Sequence, residues 1–529
     1  MVRLITAALL LPSLLHAQAD LDAYISTGDN HWLGSSLPVD SARSIEDTFE
    51  FLNKVCAVKR VYWRGLEEAT WVQTFDERPE NCRYYSFWQW IRRLYRDVDP
   101  DVLAAQAARK RGMELWGVAT MFDWGAQADT PGFGDYPNNS ESRLRLQHPE
   151  WVPIDRHGFR RQGGPIELAY PEARKALVDL HAAEMRRVGY DGLVFLTYLE
   201  NYSLRFQDEF GFSPPIVDEF QKRVRQDLLK VPFSRTASRE DWLRIRGGFV
   251  TDYLRELKAE LAKDRRQLGL FVDPHDIRQP QPWNVPETMR TAGAHHMDLE
   301  TWVRDGVVDL LAVYGYCAPQ LQDAAVRDCR WLVRDTATKV SVLTSSPMVE
   351  KWQSLRKEGV RTVMSVSEDV HFASRGPVPE QVAEALSSGD LARVCKALAQ
   401  VIEGKLAAEP SILVSLAKDG NLIQRRLALQ ALALTKDAAV LPVIEAALDD
   451  PENGIRCMAA HVLRTLNGDS TVPALLAAVT KHGNHPLREV AANTLMGLKP
   501  FPRELIHETL AESNNPHVRT VVLRALSPQ

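Results

Sequence analysis

No lysine- or arginine-rich block occurs anywhere in these 529 residues, and no two cysteines stand in a Cys-x-x-Cys pair. The first absence argues against a nucleic-acid partner, which needs a concentrated basic face. Net charge is −5, and it becomes −6 if a leader carrying the single Arg3 is removed. The second absence argues against a zinc or redox motif. The adjacent pair His295-His296 faces opposite ways on a helix or strand, which suits no shared metal ion. Neither a metal nor a cofactor is therefore expected. No glycine-rich phosphate turn follows an early strand, so a dinucleotide-binding sheet is disfavoured. Past the opening residues no apolar run is long enough to span a membrane. Tryptophan, present 13 times, is missing after about Pro377.

Apolar residues make up 45% and charged residues 25% of the chain, ordinary for a globular protein. Its length calls for two or three domains. The first nineteen residues read as a secretory signal: Arg3, an apolar stretch from Leu4 to Leu15, and a small-x-small site at Ala17-Gln18-Ala19. The expected mature protein is cut near Ala19 and exported to a periplasm or beyond the cell. Export permits disulfides. Cys56 with Cys82 and Cys317 with Cys329 are the sequence-local candidates, and free buried thiols are the alternative.

Between residues 20 and 376, short apolar segments alternate with helical patterns. The segments are Ala23–Gly28, Val58–Trp63, Met113–Thr120, Leu193–Tyr198, Leu268–Asp273, Val308–Tyr314, Val340–Thr344 and Val360–Val366. Helices are predicted between them, for example over Ser44–Val55, Phe249–Asp264 and Leu299–Asp305. Eight β-then-α repeats predict an α/β fold, a closed (β/α)8 TIM barrel.

Within this region, His148-Pro-Glu-Trp leads to Tyr170-Pro-Glu, which opens a helix predicted from about Ala173 to Val188. An Asp191-Gly turn then feeds the strand Leu193 to Leu196, which ends in Thr197, Tyr198, Leu199, Glu200, Asn201 and Tyr202. These motifs, in this order, resemble the glycosyl-hydrolase-10-like family of TIM-barrel proteins. Two later units are similar to the same family: Phe249–Leu257 leading to Leu268–Asp273, and Asp298–Gly306 leading to Leu311–Tyr316. The likeness spans roughly residues 110 to 320. It implies a barrel that acts on carbohydrate. The chain departs from the family late in the fourth strand, where Leu196 and Thr197 stand in place of acids. An Asn-Glu pair at strand four and a Glu at strand seven, common in such enzymes, are also missing, since strand seven ends Thr344-Ser-Ser-Pro.

From residue 377 to 529, alanine and leucine dominate. Arg425, Arg456, Arg488 and Arg519 recur at spacings of 31, 32 and 31. Three residues after each come Ala428, Ala459, Ala491 or Val522, and seven after come Leu432, Leu463, Leu495 or Leu526. Positions three and seven apart share one helix face. Arg393, 32 before Arg425, fits a degenerate first repeat. The pattern predicts an all-α HEAT-like solenoid, with a plain helical bundle as the alternative.

In a TIM barrel the chemistry lies at the C-terminal ends of the strands. Candidates there mix carboxylates with aromatic rings, which suits a sugar cleft: rings stack on sugar faces and acids bond hydroxyls. Glycoside cleavage needs one acid to protonate the leaving oxygen and a second to attack or to activate water. Glu200 is the candidate general acid, Glu368 or Asp369 its partner, and Asp273 the reserve. Trp63, Arg64, Asp123, Tyr198, His275 and Tyr314 are the candidate substrate-binding groups, Arg64 as the holder of a carboxylate. The expected activity is hydrolysis of glycosidic bonds in a polysaccharide or glycoconjugate. The alternative is a non-catalytic carbohydrate-binding protein, with the solenoid as a docking module for a protein partner.

Overall fold

A computed structural model describes residues 21–27, 39–65, 85–125, 141–197, 208–232, 236–277, 295–314, 322–344, 360–365, 381–435, 437–466, 471–480, 485–498, 503–504 and 508. The eight strands are β1 (Leu21–Ser26), β2 (Arg60–Arg64), β3 (Glu114–Thr120), β4 (Gly192–Leu196), β5 (Gln267–Val272), β6 (Leu310–Tyr314), β7 (Lys339–Thr344) and β8 (Arg361–Ser365). Each pairs in parallel with the next, and β8 pairs with β1, so the sheet closes into a barrel. The segments predicted from the sequence and the observed strands coincide to within a few residues.

Both faces of these strands are buried, which explains their unbroken apolar runs. Alternate residues point inward. Tyr24, Tyr62, Trp116, Val118, Val194, Leu196, Phe271, Leu310, Ala312, Leu343 and Val363 form a core of their own inside the barrel. Their neighbours in sequence, such as Ile25, Val61, Trp63, Leu193, Phe195, Leu270 and Val313, join the outer core between sheet and helices. Aromatic rings fill the interior edge to face, with the Tyr62 and Phe271 centroids 5.3 Å apart at 65°. Gly192 makes room for them: a Cβ there would lie 2.5 Å from the Trp116 ring.

The N-terminal end of the barrel is closed by charge. Arg60 Nε donates to Glu114 Oε2 at 2.7 Å, and its guanidinium lies 4.3 Å above the Trp116 ring. Arg361 Nε donates to Asp22 Oδ2 at 3.0 Å. Burial, only partly offset by Arg361, raises the Asp22 pKa. This floor leaves the opposite end, where the strands stop, as the place for a site.

The helix Pro171–Val188 begins at the Tyr-Pro-Glu signal, as expected. The helix predicted from Phe249 starts earlier, spanning Thr236–Ala262. Its first half buries Trp242 and Ile245 against Phe212, Ile216 and Phe220 of the segment after β4. Gly247 lets the helix pass the 295–296 loop, since a Cβ there would lie 2.1 Å from the His296 carbonyl oxygen. Cys329 is a free, buried thiol, pushed up to about 12 by burial, so the Cys317–Cys329 pairing does not hold. Cys82 and Cys317 lie outside the described residues.

The C-terminal region is helical. Helices Leu391–Ile402, Leu422–Leu434, Asn453–Leu466 and His485–Met496 form a row in which each packs on the next. Pro410–Asp419 and Val472–Thr480 flank it. Ala428, Ala459, Ala491, Leu432, Leu463 and Leu495 are all buried. Two of the periodic arginines bond backbone carbonyls: Arg425 Nε donates to Ala417 of the preceding helix at 3.0 Å, and Arg456 Nη1 to Pro451 in the turn before its own helix at 2.9 Å. Arg519, Val522 and Leu526 lie outside the described residues, as do residues 1–20 with the proposed leader. Among the described residues no helix is long and apolar enough to cross a membrane.

The row leans on the first barrel helix, Ala42–Lys54. Asp47 Oδ2 accepts the Leu422 amide at 3.0 Å, filling one of the donors that a helix start leaves open. Asn453 Nδ2 donates to Asp40 Oδ2 at 2.7 Å, and Ser41 Oγ donates to Glu452 Oε2 at 3.2 Å. A polar hollow of about 580 Å³, lined by Glu50, Lys54, Asp390, Asn421 and Gln424 among others, lies at this junction.

Candidate active site at the barrel mouth

Ring closure brings the strand ends to one rim. β1 contributes Ser26 and Thr27, β2 Arg64, β3 Thr120 and, three residues on, Asp123, β4 Thr197, β5 Asp273, and β6 Tyr314. Arg64, Asp123 and Asp273 are 7%, 3% and 5% exposed, so each charged group is largely withdrawn from water. Of the sequence candidates, Arg64, Asp123, Asp273 and Tyr314 thus share one end of one ring. His275 sits in the short helix Pro274–Ile277 directly after Asp273; its side chain lies outside the described residues. Glu200, Glu368, Asp369 and Tyr198 also lie outside them.

Hydroxyl side chains fix this rim. Thr27 Oγ1 donates to the Arg64 carbonyl at 2.9 Å and holds the β2 exit against β1. Thr120 Oγ1 donates to the Asp123 carbonyl at 3.3 Å, closing the turn that presents Asp123. The Thr197 amide and Oγ1 both donate to the Phe271 carbonyl at 3.1 Å, tying the end of β4 to β5 two residues before Asp273. Phe122 stacks on His295 with centroids 5.0 Å apart, and Tyr314 meets the core through Phe271 at 6.4 Å. The turn after β3 is therefore braced by the loop leading to β6.

Trp63 requires a correction. It follows inward-facing Tyr62, so its own ring faces the helices. There it packs on Phe49 with centroids 6.1 Å apart, and its Nε1 donates to Asp101 Oδ1 at 2.6 Å. It lies on the far side of the strand from the barrel axis and offers no face to a ligand in the mouth.

Two buried groups outside the strand ends went unrecognised in the sequence. Asp101 accepts from Trp63 and, at 3.2 Å, from Tyr95, and burial pushes its carboxyl up to about 7. Glu167 accepts from Ser213 Oγ at 3.2 Å, and burial raises its pKa against the attraction of buried Arg246. Glu167 and Ser213 join the segments after β3 and after β4 beneath their loops. No sequence signal marks either carboxylate, because Trp63 for Asp101 and Ser213 and Arg246 for Glu167 are remote along the chain. The His-Pro-Glu-Trp motif forms a single 3-10 turn at Pro149–Trp151, with the His148 ring stacked 3.7 Å from that of Trp151. It shapes the loop after β3.

Residues 410–496 match the HEAT repeats family. No curated protein matches the chain in sequence. Similar solved structures include the catalytic domain of β-amylase from Paenibacillus polymyxa, 10% identical, covering 72% of this chain and 98% of that one, with a TM-score of 0.41. The PgaB glycoside hydrolase domain from Bordetella bronchiseptica is 11% identical, with coverages of 67% and 96% and a TM-score of 0.39. Histamine dehydrogenase from Rhizobium is 9% identical, with coverages of 77% and 49% and a TM-score of 0.33. Likeness this distant carries no argument about activity, and one barrel shape hosts unrelated chemistries.

Proposed function

We propose that the protein is an exported glycoside hydrolase whose substrate enters the mouth of the barrel. One observation carries the reading: Arg64, Asp123, Asp273 and Tyr314, drawn from four strands, stand on a single rim at the C-terminal end of a closed ring. The likeness of residues 110–320 to glycosyl-hydrolase-10-like proteins supplies the substrate class. Asp273 and Glu200 follow neighbouring strands, β5 and β4, and form the first candidate acid pair. Glu368 and Asp369, beyond β8, are candidates from across the ring. Neighbouring strands are about 4.8 Å apart, the scale on which paired catalytic carboxylates are spaced. Side chains starting there can reach the spacing of either a retaining or an inverting pair. Arg64 would hold an acid or an acidic sugar, while Asp123, Tyr314, Tyr198 and His275 would bond or stack on the sugar.

The test is Asp273→Asn, Glu200→Gln and Glu368→Gln, each assayed on the glycan that the wild type cleaves. Loss of a working acid or base is expected to lower kcat about 10²- to 10⁴-fold, with folding intact. If all three variants keep wild-type rates, the assignment of acids falls.

A second reading has its own support. Leu196, where similar proteins place an acid, is inside the barrel core, and Thr197 is spent on the β5 backbone. These positions fit a barrel that retains glycans without cutting them. Tight retention of a glycan with no product release would favour this reading, and measurable turnover would remove it. The helical row would then supply a docking surface for a protein partner on the faces not used against the Ala42–Lys54 helix.

A further inference from the structure

The most exposed large apolar side chain among the described residues is Phe159, 88% open to solvent. A ring left in water forgoes the free energy that burial would return, and a mobile loop would be an ordinary setting for it. Phe159 instead stands on a braced hairpin. Ile154 and Arg161 form an antiparallel bridge, and the Asp155 amide donates to the Arg160 carbonyl at 3.0 Å. Asp155 Oδ1 in turn accepts the Phe159 amide at 2.8 Å and the Arg160 amide at 3.3 Å. The tip turns at Gly158, with φ of +74°, a conformation that suits glycine.

The base of the hairpin is clamped between two mouth loops. On one side Trp124, the residue after Asp123, donates its amide to the Gly164 carbonyl at 2.8 Å, and the Gly164 amide returns a bond to Gly125 at 2.8 Å. On the other side the amides of Gly211 and Phe212, in the segment after β4, donate to the Ile154 carbonyl at 3.0 and 3.2 Å. Five residues separate Gly164 from Phe159, a reach of at most roughly 17 Å. The tip is thus carried on a hairpin anchored to the segments after β3 and β4.

We infer that Phe159, with the neighbouring His157 ring, is an accessory platform for a polysaccharide chain extending out of the mouth between the loops after β3 and β4. This rests on the reading of the mouth as a glycan site. The two rings are stacked near parallel, at 24° with centroids 6.3 Å apart, so the His157 ring backs an exposed aromatic face. An exposed ring held on a braced hairpin suits the apolar side of a sugar ring in a chain leaving the mouth. The charge of Arg160, next to Phe159, is met by Asp155 at 3.3 Å and Glu209 at 3.4 Å. The platform adds affinity for long chains and does not touch the bond being cut.

The test uses the full-length protein and Phe159→Ala, with Phe159→Trp as the conservative variant. Retardation is measured in gels containing amylose, xylan, glycol chitin or a soluble cellulose derivative, and turnover is measured on a short oligosaccharide of the same sugar. Phe159→Ala is expected to weaken binding of the retained polymer about tenfold, Phe159→Trp to keep it, and short-substrate turnover to stay unchanged. Equal polymer affinity for Phe159→Ala and wild type, with short-substrate turnover intact, overturns the platform and leaves the mouth reading standing. Loss of binding to phosphatidylglycerol vesicles at unchanged polymer affinity assigns the tip to a membrane surface and also overturns it. A wild type that neither binds nor cleaves any of these glycans removes both readings together.

Discussion

The two ends of the barrel are built from the same eight strands and use polar groups to opposite purposes. At the floor, residues from four strands satisfy one another: Arg60 bonds Glu114 and covers Trp116, while Arg361 bonds Asp22. At the mouth, hydroxyl groups bond the backbone and hold the strand exits in place, and the charged side chains stand at the rim. A pair of opposite charges from neighbouring strands can close a barrel, but it leaves nothing to act on a substrate. The division follows the general separation of stability from chemistry in this architecture.

The floor gives the largest expected effect. Asp22→Ala leaves Arg361 without its buried partner and should cost about 3 kcal/mol, read as a shift in urea midpoint, since breaking a buried pair is strongly destabilising. The same measurement on Asp273→Asn should stay within about 1 kcal/mol of wild type. A comparable loss at both ends would erase the contrast. Trp63→Phe tests whether the outer wall belongs to the floor's class. It deletes the donor to a buried carboxylate and should cost about 2 kcal/mol, while the affinity for substrate is unchanged. A large rise in KM with normal stability would return Trp63 to the mouth.

The smallest effects are expected from single buried groups as pH changes, and two of them act in opposite directions. The Asp101 carboxyl is pushed up to about 7, so its burial destabilises the fold increasingly as pH rises from about 4 to about 7. His181 is pushed down to about 4 by burial, so stability falls as pH drops from about 6.5 to about 4, where an unfolded imidazole takes a proton first. Relative to wild type, Asp101→Asn should become more stable as pH rises through this window, and His181→Leu less stable. Parallel pH curves for all three proteins would show that these groups do not titrate as their burial implies.

Much of the barrel could be read in advance because each strand is apolar on both faces and each is followed by a helical pattern. That same property hid the direction of individual side chains. With both faces apolar, nothing in Arg60-Val-Tyr-Trp-Arg64 says whether Tyr62 or Trp63 points inward, and a strand-end position and an aromatic ring together point Trp63 to the mouth. The floor was more accessible than it seemed: Asp22, Arg60, Glu114 and Arg361 stand at or next to the first residue of their strands. Their pairing across β1, β2, β3 and β8 requires the closed ring. The early start of the Thr236–Ala262 helix depended on Phe212, Ile216 and Phe220, which are distant in sequence from its first turns. At the mouth, the strand-end rule located Arg64 and Asp273 but had no means of finding Thr27 and Thr197, whose hydroxyls act on backbone carbonyls of other strands. The repeat spacing located the buried faces of the helical row. It gave no sign of Asp47 reaching Leu422.

That last bond has a consequence for how the chain is made. β1 cannot complete its sheet until β8 arrives, and the Ala42–Lys54 helix meets its outer neighbours only after residue 391 has been synthesised. Both closures join segments more than 300 residues apart, and contacts of such long sequence separation form slowly. The first strand can pair with β2 and the first helix can pack on Pro100–Lys110 early, while one edge of that strand and one face of that helix wait for partners made much later. A molecule cut short before the helical row would leave Asp47 and the neighbouring face of that helix turned toward water.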